Sequence, residues 1–424
     1  MLDIKLIREQ PDAVEENLKK RNDPEKIKLL KDLVQKDRLK REKIQEAENL
    51  RRQRNETTEK ISKMKSERKD ISALAAEAKT IPEKLKSVQA ELDSIEKECH
   101  SLLLRIPNML HNSVPVGKDD TDNKETKRWG EKEWDFKPKN HLELLEGLGL
   151  IDSERAAKIA GHGFFFMKKE LVLLDHAIQR FALGFLAERG FTIINPPYMM
   201  MREPYEGVTD VADFENVMYK IDGEGLYMIA TSEHPMAAMY MNEIFNKDDL
   251  PIKLAGMSPC FRKEVGAHGK YTKGLFRMHQ FNKIEQFVFC IPSESWKIHE
   301  ELQKNSEDLY EALGIPYRVV NVCTGDIGSI ASKKYDTEFL MADGNYREIG
   351  SNSNCTDYQA RRLNIRYREK EGLAPAGFVH TLNNTALATS RTMVAVLENY
   401  QRSDGTVDVP KVLQPFMGMK RIGK

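Results

Sequence analysis

At 424 residues the chain exceeds what one ordinary hydrophobic core organises, so two or three domains are expected. Its 66 Lys plus Arg are balanced by 66 Asp plus Glu, which excludes a global attraction to nucleic acid or to a membrane surface and leaves local clustering as the route to any polyanion. Five cysteines, at 99, 260, 290, 323 and 355, are odd in number and widely spaced with no Cys-x-x-Cys pair, which argues against a disulfide framework and a zinc ribbon.

The amino terminus, MLDIKLIREQPDAVEENLKKR, lacks the apolar core of a signal peptide and is too acidic for a transit peptide. No segment reaches the roughly 18 apolar residues of a membrane span. A soluble, cytoplasmic protein with no membrane partner is expected. Within residues 1–22, Leu2 and Ile4 predict a short strand or turn, and a helix should open near Pro11-Asp12 with Val14 and Leu18 on one face.

From about 25 to 105 the composition turns to Glu, Lys, Arg, Gln, Leu and Ala, with no Gly and an internal proline only at 82. Leu85, Val88, Leu92, Ile95, Cys99 and Leu102 alternate steps of three and four, a seam that demands a partner helix. An antiparallel two-helix coiled coil with arms of similar length must reverse near 66–72, where Asp70 or Ser72 can cap the second helix. A turn at Thr80-Ile81-Pro82 is the competing reading, and Pro82 should at least bend its helix. Each arm would span roughly 60 Å at 1.5 Å per residue. Residues 36–69 hold 13 Lys plus Arg against 7 Asp plus Glu, including Arg51, Arg52, Arg54, Lys63, Lys65, Arg68 and Lys69. Any one of these is ordinarily just a solvated charge, but their excess is the footprint of a phosphate-backbone partner.

Ile106-Pro107-Asn108 should end the second helix, and 111–140, rich in Asp, Asn, Gly, Lys and Pro, reads as a linker. Beyond it, short strands (Phe191–Asn195, Tyr227–Ile229, Phe287–Ile291, Tyr317–Val322) alternate with helices near 171–189, 233–245 and 293–313. Strand pairs around 257–291 joined by Gly-rich turns favour an α+β fold, a mainly antiparallel sheet flanked by helices.

Chemistry concentrates in Cys260 to Glu285. On a strand, Arg262 and Glu264 would share a face. An Arg on a rigid strand suits a phosphate, because its planar fork makes two parallel charge-assisted bonds. The loop from Gly266 to Gly274, with three glycines and two lysines, suits a mobile flap over a polyanion. On the returning strand, Arg277, His279, Phe281, Lys283 and Glu285 would share one face. Taken alone, this could be an exposed charged hairpin.

The order and spacing of these residues resemble the second motif of class II aminoacyl-tRNA synthetases. The likeness covers nearly the whole chain and is closest to the seryl-tRNA synthetases of archaeal and eukaryotic type. Gly190 to Pro197 resembles the first motif, at the dimer interface. Tyr335-Asp336-Thr337-Glu338, Glu348 to Cys355 and Gln359-Ala360-Arg361-Arg362 resemble serine-family segments. Thr385 to Arg391 resembles the third motif, although Asn384-Thr385-Ala386-Leu387-Ala388-Thr389-Ser390-Arg391 lacks glycines that many bacterial members carry there.

The resemblance implies a division of the chain and of labour: an N-terminal tRNA-binding domain over 1–110, the linker, and a class II catalytic domain over 141–424. ATP would be held by Arg262, Glu264, Arg277, Met278, Phe281, Glu348, Ile349, Gly350, Ser351 and Arg391, with Phe281 and Arg391 sandwiching adenine and Arg262 and Arg391 stabilising charge in the transition state. Thr231, Ser232, Glu233, Arg262, Glu285, Asn383 and Thr385 would surround L-serine. Glu348 and Ser351 would hold Mg²⁺ on the phosphates, a hard cation taking oxygen ligands. No zinc is expected, since His268 and His279 near Cys260 do not match the zinc pocket of a rare methanogen form. The implied partners are ATP, serine, tRNA(Ser), tRNA(Sec) where it exists, and a second copy of the chain, with tRNA bound across subunits. A carrier-protein aminoacylating relative would typically lack the helical arm. A structural coiled-coil protein would have no use for Arg262, Phe281, Glu348 and Arg391 at these intervals.

Overall fold

The computed structural model describes residues 1–209, 217–264 and 274–423. It comprises two compact units, Leu2–Pro107 and Asn108–Lys424.

In the first unit, α1 (Ile4–Glu9) begins at Asp3, whose carboxylate accepts the Lys5 amide at 2.8 Å. The strand or turn expected around Leu2 and Ile4 is therefore a short helix: two apolar residues are too few to set a period, and the cap with buried Ile7 decides the outcome. Helix α2 (Pro11–Lys19) buries Val14 and Leu18. Helix α3 (Pro24–Ser66) opens on an Asp23 cap with Pro24 in its first turn, where the missing amide costs nothing. Helix α4 (Ser72–Arg105) follows after Asp70 accepts both the amide and the hydroxyl of Ser72 at 2.9 and 2.6 Å. It continues through Pro82, so no turn forms at Thr80–Pro82.

Val88, Leu92, Ile95 and Cys99 on α4 are buried, as are Leu30, Leu33 and Ala47 on α3. Lys36–Glu98, Lys40–Glu96 and Lys43–Glu91 pair at 2.5, 3.0 and 2.7 Å; one number falls as the other rises, so the helices run antiparallel. Such exposed pairs fix register more than they stabilise. Ile106 leaves the helix with ψ 124, as the residue before a proline should.

The second unit is built on a sheet with eight described strands: β1 (Lys124–Trp129), β2 (Thr192–Ile194), β3 (Ile252–Phe261), β4 (Gln280–Cys290), β5 (Tyr317–Asn321), β6 (Lys333–Leu340), β7 (Tyr346–Thr356) and β8 (His380–Ala388). Their order is β1-β5-β6-β7-β8-β4-β3-β2, and every neighbouring pair is antiparallel except β2 with β3. The reading of 111–140 as a linker is corrected here, since β1 pairs with β5 at the sheet edge. Five of its six residues are exposed, so no apolar alternation marks it as a strand. Leu110 and Val114 also pack with Val322 and Ile327.

Helices α5 (Glu170–Glu188), α7 (Ser295–Leu313) and α8 (Thr389–Tyr400) share a core with the sheet through Leu174, Ile178, Leu309, Phe339 and Val394. A second core, with Tyr205, Tyr227, Phe287 and Phe289, holds α6 (Glu233–Ala238) through Met236. The helix expected over 233–245 ends early: Asn242 takes φ +66, a conformation Asn tolerates, and Ile244–Asn246 becomes a short strand parallel to Arg366–Arg368.

Candidate active site

A cleft of about 370 Å³ opens over β4, β7 and β8. Period-two alternation points Phe281, Lys283 and Glu285 of β4 into it, while Ile284 and Val288 turn to the core. Strand β8 contributes Asn383, Thr385 and Ala388. Strand β7 contributes Glu348 to Ser351, and the first turn of α8 contributes Arg391. Arg262 enters from the residue after β3, held in register by its amide on the His279 carbonyl at 3.0 Å. Thr231 and Glu233 enter at the start of α6.

One end is acidic. Asn383 Nδ2 donates to Glu233 Oε2 at 3.1 Å and lies 3.4 Å from Glu285 Oε1. Thr385 Oγ1 donates to Glu285 Oε2 at 3.2 Å, and Gln359 Nε2 to Glu233 Oε1 at 3.3 Å. The Thr231 hydroxyl accepts the Glu233 amide at 3.1 Å. Lys283 Nζ meets Glu285 Oε2 at 2.6 Å with both side chains buried. Burial first, and then the neighbouring Glu285, pushes the Glu233 carboxyl up to about 7. His234, beside the same charges, is driven down to about 3 by burial and by Lys283 and Arg262, so its ring is neutral against the Tyr205 hydroxyl 2.9 Å away.

The other end is cationic and aromatic. The Arg262 guanidinium lies 5.3 Å from the centre of the Phe281 ring, and its Nε donates to the Ala230 carbonyl at 3.3 Å. Arg391 donates to the Glu348 carbonyl at 2.8 Å, pairs with its carboxylate at 3.3 Å, and sits 4.9 Å over Phe276. Glu348 and Ser351 face each other, with 3.5 Å from hydroxyl to carboxylate oxygen. Gly350 is required by closeness, because a Cβ there would lie 2.8 Å from Thr385 Cβ.

Four expected site residues do not line the cleft. Ser232 is fully buried, its hydroxyl donating to the Gly256 carbonyl at 3.1 Å. Met278 belongs to the core. Glu264, with φ +47, pairs with Arg277 at 3.4 Å on the stretch leading to 265–273. The expected face from Arg277 to Glu285 is regular only from Gln280, where β4 starts. Of the expected Gly266–Gly274 flap, all but Gly274 lies outside the described residues. Lys283 and Gln359, which the sequence names without a site role, meet Glu285 and Glu233 at the acidic end. Lys283 stood in the alternating run and could have been chosen, whereas Gln359 reaches Glu233 only through the fold. Among the described residues no three His, Cys, Asp or Glu cluster as a metal site, and all five cysteines are buried and unpaired.

On α3 and the turn after it, Arg51, Arg52, Arg54, Lys63, Lys65, Arg68 and Lys69 are all exposed. Arg51 reaches Gln89 at 3.2 Å, Arg52 approaches Glu56 at 3.8 Å and Lys69 pairs with Glu67 at 2.6 Å. Among the described residues Arg51 and the other four have no acidic partner.

Residues 1–110 match the family model of the seryl-tRNA synthetase N-terminal domain, and 217–400 match that of the class II tRNA synthetase core domain for G, H, P, S and T. A serine–tRNA ligase of Methanocella arvoryzae is 56% identical over 419 residues, 98% of this chain and 99% of that one. The crystal structure of seryl-tRNA synthetase from Pyrococcus horikoshii complexed with ATP superposes with a TM-score of 0.96 at 47% identity, covering 100% of this chain and 99% of that one. The cytoplasmic serine–tRNA ligase of Naegleria fowleri in complex with AMP gives 0.89 at 35% identity, again covering 100% and 99%. The chain therefore belongs to the seryl-tRNA synthetase family, class II aminoacyl-tRNA synthetases that ligate serine to tRNA.

Proposed function

We propose that the acidic end of the cleft holds L-serine and the arginine end holds ATP, so that the serine carboxylate attacks the α-phosphorus in line and pyrophosphate leaves. A tRNA terminal hydroxyl then attacks the carbonyl carbon of the mixed anhydride, its proton is lost, and AMP departs. Neither step needs a nucleophilic side chain. Positioning and charge stabilisation carry the chemistry.

The observation that carries this reading is the convergence of Glu233, Glu285, Asn383 and Thr385 with Arg262, Phe281 and Arg391 in one cleft. An ammonium and a hydroxyl need fixed acceptors, which the two glutamates and Thr385 supply, and a substrate lacking either group leaves buried polar atoms unpaired. Phe281 offers a flat face for adenine, with Arg391 stacking opposite and reaching the γ-phosphate. Arg262 serves the α-phosphate and the serine carboxylate. Glu264 and Arg277, which do not line the cleft as it stands, join the Ile349–Gly350 backbone in completing the nucleotide contacts, while Met278 and Ser232 support the pocket from behind.

Glu348 and Ser351 fit Mg²⁺, because one carboxylate and one hydroxyl 3.5 Å apart leave most of an octahedron to phosphate oxygens and water. Bound there, the ion would offset phosphate charge. The exposed cations of α3 suit the phosphate backbone of tRNA(Ser), and of tRNA(Sec) where the host has it. The catalytic unit would act as a homodimer with tRNA lying across subunits, in the cytoplasm. An apolar groove of about 510 Å³ along Ile194–Met201, with Ile193, Met199 and Met201 exposed, supports that pairing.

Serine-dependent exchange of pyrophosphate into ATP, followed by charging of purified tRNA, tests the whole reading. Exchange and charging with serine are expected. No exchange would refute it, and exchange with transfer to a carrier protein instead of tRNA would replace it.

A further inference from the structure

Behind the cleft floor, α7 presents buried polar side chains to the strands. Ser306 Oγ and Tyr310 Oη, one helical turn apart, both donate to the backbone carbonyl of Thr385, at 3.2 and 3.3 Å. That carbonyl belongs to an irregular point of β8. Thr385 stands opposite Glu285, yet the next pairs are Leu387 with Ile284 and Ala388 with Lys283, so Ala386 is the extra residue of a β-bulge.

The bulge decides what faces the cleft. In an uninterrupted strand Thr385 and Leu387 would point the same way. Here Thr385 and Ala388 both line the cleft, and Leu387 is buried in the core. Two hydroxyls hold the carbonyl that the disturbed ladder presents to α7. Ser306 is fixed in turn, since Gln286 Nε2 donates to its oxygen at 3.2 Å and Asn305 Nδ2 donates to Gln286 Oε1 at 2.9 Å.

We infer that Ser306 and Tyr310 are positioning residues for amino-acid selection: from behind the sheet they hold the bulge that aims the Thr385 hydroxyl at Glu285 and keeps Leu387 out of the cleft. Neither lines the cleft. The inference rests on the assignment of Glu285 and Thr385 to the serine pocket.

The test is serine-dependent pyrophosphate exchange on Tyr310→Phe, Ser306→Ala and the double variant, with Thr385→Ala alongside. Each single change removes one hydrogen bond to the Thr385 carbonyl and keeps most of the packing, Ser306→Ala also losing the bond from Gln286, so KM for serine should rise about 5-fold, and about 20-fold in the double variant. KM for ATP should stay within about two-fold, because the arginine end makes no use of these hydroxyls, and selectivity for serine over threonine should fall with the rise in KM. Should Thr385→Ala raise the serine KM while the α7 variants only lower Tm, or raise both KM values alike, the inference fails. Should Thr385→Ala leave the serine KM unchanged, the pocket assignment itself fails. If the double variant does not fold, Tyr310→Phe alone decides.

Discussion

Charge is deployed differently on α3 and in the cleft. The seven cations singled out between Arg51 and Lys69 stand in water, five of them without an acidic partner among the described residues. Lys283, in contrast, is buried against Glu285 at 2.6 Å, and Glu233 is held beside the same pair by Asn383 and Gln359. An exposed charge acts through number and long-range field, is screened by salt, and is individually replaceable. A buried charge acts through placement, and losing one partner leaves the other stranded. The helical unit should therefore tolerate single changes, and the cleft should not.

Several substitutions would break or sharpen this contrast. Arg262→Ala should be the most damaging, lowering kcat/KM of pyrophosphate exchange about 10³-fold, since it removes a preorganised cation from the reacting phosphate; a loss under ten-fold would show that Arg262 is not at the reacting centre. Glu285→Gln should raise the serine KM about 30-fold while leaving the ATP KM nearly unchanged, because one ammonium acceptor loses its charge. Equal shifts in both constants would deny the division of the cleft into two ends.

The pH dependence comes next. Glu233 is held up to about 7 by burial and by Glu285, with Lys283 and Arg262 opposing. In the proposed serine pocket it is the ionised form that would accept the ammonium, so raising the pH through 7 should lower the serine KM, about ten-fold between pH 6 and 8. A flat profile over that range would place the ammonium elsewhere. Smallest of all, Lys63→Ala or Arg54→Ala should weaken charging only about three-fold and reduce its salt slope by about one. A loss of 100-fold from either change would mean that the helix acts by placement after all.

Much of the fold is legible in residue patterns. The three-four steps from Leu85 to Leu102 mark a paired helix, and α4 buries Val88, Leu92, Ile95 and Cys99 of them together with Ile81, while Leu85 and Leu102 stay half-buried. The paired strands around Glu285 give away an antiparallel sheet, which is the architecture found. Edge strand β1 is hidden because both its faces are wet, and helix α1 is hidden because a six-residue element owes its form to a cap and one buried Ile7.

In the cleft, alternation on β4 marks Phe281, Lys283 and Glu285 as neighbours on one face, and the family resemblance directs attention to Arg262, Glu348 and Arg391. What cannot be read along the chain is anything assembled across it. Gln359 reaches Glu233 from another helix, the bulge at Ala386 shifts which residues face inward, and Ser306 and Tyr310 hold that bulge from 79 and 75 residues away in sequence. Ser232, expected at the serine, and Met278, expected at the nucleotide, are buried away from the cleft lining, because local sequence does not reveal which side of a turn packs inward.

The most direct test of the contrast is to delete residues 36–95 and measure pyrophosphate exchange and tRNA charging on the same preparation. Exchange within about two-fold of the full chain, with charging reduced by about 100-fold or more, is the predicted result. Loss of both activities in equal measure, from a protein that still binds ATP, would contradict it.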